Sequence, residues 1–247
     1  MGSTDPTPPA PLDFEDPPQR AGPRRGRRAG ARVWLARHAQ VAAEWATRSY
    51  GPEDVPLSEE GERRTVELGA SLAACEPAAV WSSDLSRAAR LGRVAAEAAR
   101  VPLRLDPRLR EVDRGAWRGR EVADLHVERR EELERFYAEP WTYAGHGGES
   151  DSAVAARAWP ALLEALDAVG SRTLLVTAHY NVLRVLAAVA LGIPDRRSFA
   201  FRLDKGRATL LEDTAEGWRL IAHNVHDPGA FEHRDEYLGL NPAHPRA

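Results

Sequence analysis

The chain has 247 residues, of which 43% are apolar and 29% charged, with a formal net charge of −3. That length is enough for a full hydrophobic core without disulfide staples, and a single cysteine, Cys75, excludes an intrachain disulfide and fits a reducing cytoplasm. A slightly negative balance gives no electrostatic case for nucleic acid or an anionic membrane as partner, and no apolar run reaches the length of a transmembrane helix.

Residues 1–30 are dense in proline, glycine and charge, with Leu12 and Phe14 as their only large apolar side chains. Such a segment buries too little to offset its ordering entropy, so a disordered tail without a signal-type apolar region is expected. A domain over 31–240 follows, with residues 241–247 as a short C-terminal tail.

Val33-Trp34-Leu35-Ala36 reads as a buried strand and runs directly into Arg37-His38. Ser58 before Glu59, Glu60 and Glu62 has the form of a helix N-cap with acids in the first turn, and the helix continues through Val66, Leu68 and Leu72 to end before Pro77. Ala79-Val80-Trp81-Ser82 is a second strand. Ser83 or Asp84 is expected to cap the next helix, which runs to about Arg100 with Arg87 in its first turn. A third strand over 101–105 is placed near a sheet edge by Pro102.

Residues 118–147 form a charged insertion with helical character and four aromatics, Phe136, Tyr137, Trp141 and Tyr143. Ser150 or Asp151 starts another helix, for which Gly170 supplies the C-cap. Thr173-Leu174-Leu175-Val176-Thr177 is the clearest strand, with the continuous apolar character of a central parallel one. It ends in Ala178-His179, and a helix follows from about Asn181 to Leu191. Residues 198–223 alternate as strands around turns at Asp204-Lys205-Gly206 and Glu216-Gly217. Strand and helix alternate at a spacing that implies an α/β fold, a three-layer αβα sandwich on a mainly parallel sheet. The insertion is expected to lie over the active site.

In open α/β sheets ligands bind at the carboxyl ends of the strands, where this sequence puts Arg37, His38, Arg87, Glu111 and His179. Guanidinium forks suit phosphate oxygens, neutral imidazole is a nucleophile near neutral pH, and a carboxylic acid can protonate a leaving oxygen.

Arg37-His38-Ala39-Gln40, followed by Arg48, Gly51 and Asp54-x-Pro56-Leu57-Ser58-x-x-Gly61, resembles the opening pattern of the histidine phosphatase (phosphoglycerate mutase-like) superfamily. Ser82-Ser83-Asp84-Leu85-Ser86-Arg87-Ala88 is similar to its second arginine motif. Leu109-Arg110-Glu111 through Gly119 is similar to its acid motif, and Thr177-Ala178-His179 with Arg184 to its last. The resemblance runs from Arg32 to His223.

It implies that His38 accepts the phosphoryl group and Glu111 donates the proton. Arg37, Arg87 and His179 would hold the phosphate, with Arg48, Gln40 and Tyr180 as further substrate contacts. It implies no metal and no cofactor; His223-x-x-His226 lacks a third ligand placed by sequence and is not expected to bind one. The partner is a small phosphorylated metabolite, the chain being either a monomer or a homodimer. Tyr180-Asn181 replaces the family's Gly-Gly, so the Tyr180 ring is expected to line the leaving-group pocket, aided by Trp141 and Tyr143. Glu44 falls where the family often has an asparagine on the phosphate, and would repel substrate unless it points away or is paired. A phosphomonoesterase is the first reading. A phosphoglycerate mutase-type phosphotransfer enzyme and a non-catalytic phosphate-binding module are the alternatives.

Overall fold

The computed structural model describes residues 30–193 and 195–231. The expectations for the proline-rich segment up to residue 29 and for the C-terminal tail lie outside the described residues. In chain order the elements are β1 (Ala31–Arg37), α1 (Glu59–Ala73), β2 (Ala79–Ser82), α2 (Ser86–Ala99), β3 (Leu103–Leu105), α3 (Val122–Glu128), α4 (Arg130–Ala138), α5 (Asp151–Val169), β4 (Thr173–Ala178), α6 (Tyr180–Ala190), β5 (Ala208–Thr214) and β6 (Gly217–Val225).

They build one six-stranded sheet in the order β3-β2-β4-β1-β5-β6. β3, β2, β4 and β1 are parallel, and the β5–β6 hairpin adds antiparallel to β1. Successive side chains of a strand face opposite sides of the sheet, which explains two separate cores. Val33 and Leu35 of β1 pack with α5 and α6 through Leu162, Leu166, Val182 and Leu186. Trp34 and Ala36 pack with α1 and α2 through Leu68, Leu72, Leu91 and Ala95. Helices thus cover both faces, and β3 is an edge strand as Pro102 implied. Among the described residues no helix is long and apolar enough to cross a membrane.

Local signals explain the helix starts. Ser58 Oγ accepts the Gly61 N–H at 3.0 Å, and Ser150 Oγ accepts the Ala153 N–H at 3.2 Å, each satisfying an orphan donor of the first turn. The start of α2 differs from expectation. Its N-cap is Leu85, and neither Ser83 nor Asp84 caps it with a side chain. The Asp54 carboxylate, distant in sequence, accepts the Ser86 N–H at 2.7 Å instead, while Asp84 is taken up by Arg110. The segment read as strands from residue 198 also starts differently, with a 3-10 turn over Arg196–Ala200 before β5.

The insertion is less helical than its composition implied. Leu125 of α3 and Leu133 and Phe136 of α4 form a small cluster with Trp117 and Tyr143 from the flanking turns, and residues 139–149 run as turns.

Candidate active site

β1 and β2 flank β4 in the sheet, so the three strand ends lie side by side. The His38 N–H donates to the Ala178 carbonyl at 3.1 Å and the Ser83 N–H to the Thr177 carbonyl at 3.0 Å. These contacts set the residues that follow each strand next to one another: His38 after β1, Ser83 after β2 and His179 after β4. The two imidazoles meet with ring centroids 5.2 Å apart. His38 and Arg87 are 1% exposed and His179 is wholly buried.

His38 Nδ1 lies 2.8 Å from the Ala39 carbonyl oxygen. A carbonyl only accepts, so Nδ1 carries the proton and Nε2 keeps its lone pair. Burial, then the Arg37 and Arg87 charges, hold the His38 imidazole well below the ordinary histidine range. Burial, then Arg87 and His38, do the same for His179, whose Nε2 is 2.8 Å from Ser83 Oγ. Both rings are therefore neutral near neutral pH.

The two arginines are fixed by backbone carbonyls. Arg87 Nη1 donates to Glu53 O at 2.6 Å and Nη2 to Gly51 O at 3.0 Å. Gly51 has φ +49°, and a Cβ there would lie 3.0 Å from the Val112 carbonyl oxygen, so the turn that offers its carbonyl to Arg87 favours glycine. Arg37 Nη1 donates to Leu203 O at 2.6 Å, and its Cζ lies 5.1 Å from the Tyr180 ring centroid. Arg37 Nε, Arg87 Nε and His179 Nδ1 are buried without a hydrogen-bond partner. Buried polar nitrogens are rarely left so, and three of them around one neutral imidazole mark a place for an acceptor-rich anion.

Beside this group lies a cleft of about 200 Å³, lined among others by Arg37, Arg48, Tyr50, Glu111, Arg114, Asn181 and Lys205. Glu111 is 8% exposed; Oε1 accepts the Val112 N–H at 2.9 Å and Oε2 the Asn181 N–H at 3.4 Å. The half-buried Tyr50 ring lies 5.0 Å from Arg87 Cζ. Burial, then Arg37, lower the Lys205 ammonium.

The structure therefore brings Arg37, His38, Arg87 and His179 together, with Glu111 on the cleft wall. Arg48 stands on that wall too, where Nη2 pairs with Glu121 at 2.9 Å and Nη1 donates to Gly119 O at 3.0 Å. Gln40 is exposed and outside the lining; its carbonyl accepts the Ser58 N–H at 3.0 Å. A Cβ on Gly61 would lie 2.0 Å from that same oxygen, which accounts for the glycine of the first motif. Tyr180 packs on the core and carries Arg37 rather than walling the cleft. Trp141 packs against the main core and Tyr143 is buried in the insertion's cluster, so neither lines the cleft as expected. Glu44 is exposed and is not among the residues that line the cleft; its backbone carbonyl accepts from Arg48 Nε at 3.0 Å.

Sequence reasoning missed Tyr50, Arg114, Asn181 and Lys205. Each lies inside a motif or turn that the sequence marked, at a position given no role, and that placement was the available signal.

Residues 33–226 match the family model of the histidine phosphatase superfamily (branch 1). The chain is similar to the probable phosphoglycerate mutase GpmB of Salmonella paratyphi C, at 30% identity over 206 residues, 82% of this chain and 94% of that protein. Among solved structures it is similar to a mycobacterial glucosyl-3-phosphoglycerate phosphatase complexed with VO3, with a TM-score of 0.72 and 29% identity over 78% of this chain and 99% of that one. It is also similar to the alpha-ribazole phosphatase from Shigella flexneri, with a TM-score of 0.68 and 25% identity over 81% of this chain and 100% of that one.

Proposed function

Because the chain belongs to the histidine phosphatase superfamily, we propose that it is a phosphomonoesterase that hydrolyses a small organic phosphate through a phosphohistidine on His38. The observation that carries the reading is the neutral His38 imidazole beside three partnerless buried nitrogens, on Arg37, Arg87 and His179.

In the first step His38 Nε2 attacks phosphorus in line with the departing oxygen. A P–N bond forms, the P–O bond to the alcohol breaks, and the Glu111 carboxylic acid gives its proton to the leaving oxygen. Arg37, Arg87 and His179 hold the three equatorial oxygens and offset the charge that spreads over them. In the second step the Glu111 carboxylate takes a proton from water, which attacks phosphorus. The P–N bond breaks, inorganic phosphate leaves, and Glu111 is again protonated. The positive side chains carry the electrostatic load, so neither metal nor cofactor enters the scheme.

Arg48, on the cleft wall, contacts the alcohol portion; Tyr180 acts by positioning Arg37, and Gln40 through its backbone. In this reading residues 31–240 are one catalytic domain with 118–147 as its cap, working in the cytoplasm, where Cys75 stays a free thiol. The similarity to a probable phosphoglycerate mutase favours one second reading, transfer of the phosphoryl group to another hydroxyl instead of water.

The test is hydrolysis of p-nitrophenyl phosphate with EDTA present, wild type beside His38→Ala. Turnover that persists in EDTA and falls at least a thousandfold in the variant supports the reading. Undiminished turnover in His38→Ala refutes it. Conversion of 3-phosphoglycerate to its isomer without phosphate release would select the transfer reading.

A further inference from the structure

The cations around His38 come from the end of β1 and the first turn of α2. Another reaches the same cleft from the opposite neighbour of β1. β5 runs antiparallel to β1 with Ala36 opposite Ala208. Followed back along β5, that register sets the turn Asp204-Lys205-Gly206 against the end of β1, where Arg37 and His38 stand. The turn is fastened there by its backbone. The Gly206 N–H donates to the His38 carbonyl at 3.0 Å and to the Arg37 carbonyl at 3.3 Å, while the Arg37 N–H donates to Arg207 O at 3.0 Å. Gly206 O accepts from Arg64 Nε at 3.1 Å and Nη2 at 2.9 Å. The Asp204 N–H donates to Asn224 Oδ1 at 2.8 Å, and Asn224 Nδ2 donates to the Asp204 carboxylate at 2.9 Å. Gly206 has φ +69°, and a Cβ there would lie 2.8 Å from Arg64 Cγ, so the turn closes on glycine. Both chain neighbours of Lys205 are therefore fixed.

Lys205 itself is half-buried and lines the cleft with Arg37, Tyr50 and Glu111. The carboxylate next to it in the chain is engaged elsewhere, since Asp204 accepts from Arg202 Nε at 3.0 Å as well as from Asn224. Among the described residues no carboxylate pairs with Lys205. Its ammonium stands within reach of the Arg37 charge, and its own charge acts on His38. Like charges gathered on one cleft wall repel each other, and the same gathering attracts once a dianion lies between them.

We propose that Lys205 Nζ is a further contact to the transferring phosphoryl group, on the Arg37 side of His38, and adds its positive charge to those of Arg37 and Arg87. This rests on the hydrolase reading and deepens it. The mounting of the turn favours the phosphoryl group over the alcohol portion. Gly206 hangs on the carbonyl of His38, the nucleophile, whereas Glu111, which serves the leaving oxygen, is held by the Val112 and Asn181 N–H groups. An ammonium is a compact point charge with three donors, and it suits an oxygen that already accepts from a guanidinium.

The probe is inorganic phosphate, which has no alcohol portion. It is titrated calorimetrically into the full-length wild type, Lys205→Met and Lys205→Arg, in about 0.1 M and about 1 M sodium chloride, which differ severalfold in screening length. Lys205→Met should weaken binding about tenfold at both salt concentrations, as expected for loss of a charge-assisted hydrogen bond. Lys205→Arg keeps the charge and should stay within about threefold of wild type. Lys205→Gln serves if the methionine chain does not fold. Phosphate affinity unchanged in whichever neutral variant folds overturns the contact. So does a difference that vanishes at high salt, because only a remote field is screened away. A raised KM for an organic ester with phosphate affinity intact also overturns it, and moves Lys205 to the alcohol portion. Failure of the hydrolase reading shows separately, as a wild type that binds phosphate and does not turn over p-nitrophenyl phosphate.

Discussion

Lowering the pH from 7.5 to 5.5 should destabilise this fold through histidines alone. His38, His179 and His146 are 1%, 0% and 2% exposed, and all three are held below the ordinary imidazole value. For His146 burial, then Arg114, bring it to about 4. The folded pKa is depressed and the unfolded one is about 6.5, so below that pH the unfolded chain binds protons that the folded chain refuses. The stability they contribute is present above about pH 6.5 and is lost as pH falls toward the folded values. For His146, at about 4 in the folded chain, the loss at pH 5.5 is about 1.4 kcal/mol, and His38 and His179 add losses of the same sign. Carboxylates titrate mostly below this window, so their part in the change is small. Urea unfolding in phosphate-free buffer at the two pH values reads the difference directly. His146→Gln should cut the loss by about 1.4 kcal/mol, whatever the substitution costs at pH 7.5. A difference under about 1 kcal/mol in the wild type, less than His146 alone should give, would refute the account of three neutral buried rings.

Glu111→Gln should slow an alkyl phosphate a hundredfold or more while slowing p-nitrophenyl phosphate only a few-fold, since nitrophenolate leaves without a proton; equal losses on the two esters would remove Glu111 from the acid role. Asp54→Ala takes away the carboxylate that accepts the Ser86 N–H and should cost about 1 kcal/mol by thermal or urea unfolding, with weaker vanadate binding because Arg87 rides on the same first turn. Tyr180→Ala should weaken vanadate binding about fivefold by freeing Arg37, and Tyr180→Phe should not, because the ring face does the holding. Matching behaviour of the two Tyr180 variants, measured by inhibition of aryl phosphate hydrolysis, would show that the ring is not what matters.

Local rules carried the sequence reading far. Ser58 and Ser150 start helices because a hydroxyl three residues back satisfies an orphan N–H, and that relation is visible in one dimension. The four residues gathered at the strand ends were legible for the same reason: each ends or directly follows a strand, or sits in a first helical turn. What the sequence withheld depends on distant partners. Asp54 caps α2 across a gap spanned by a helix and a strand, so the search for a cap stopped at Ser83 and Asp84. Arg114 was one of several arginines around Glu111, and only packing shows it buried without an ion pair while Arg108 and Arg110 sit on carboxylates outside. Trp141 and Tyr143 have the composition of a binding wall, but Tyr143 is spent on the insertion's own small core and Trp141 packs against the main one.

The strap over residues 51–58 limits how this protein can be re-engineered. Gly51 and Glu53 offer their carbonyls to Arg87, Asp54 receives α2, and Pro56 and Ser58 are tied back to Ala42 and Gln40. Exchanging only the cleft-facing loop 46–51 for a relative's, to import another substrate preference, would swap out one of the two carbonyls that aim the second arginine. A graft has to take residues 40–58 together with the start of α2, as one cassette. Sequence changes that alter preference without such a transplant belong at the cleft-lining side chains of Asn181 and Lys205, which make none of the strap's hydrogen bonds.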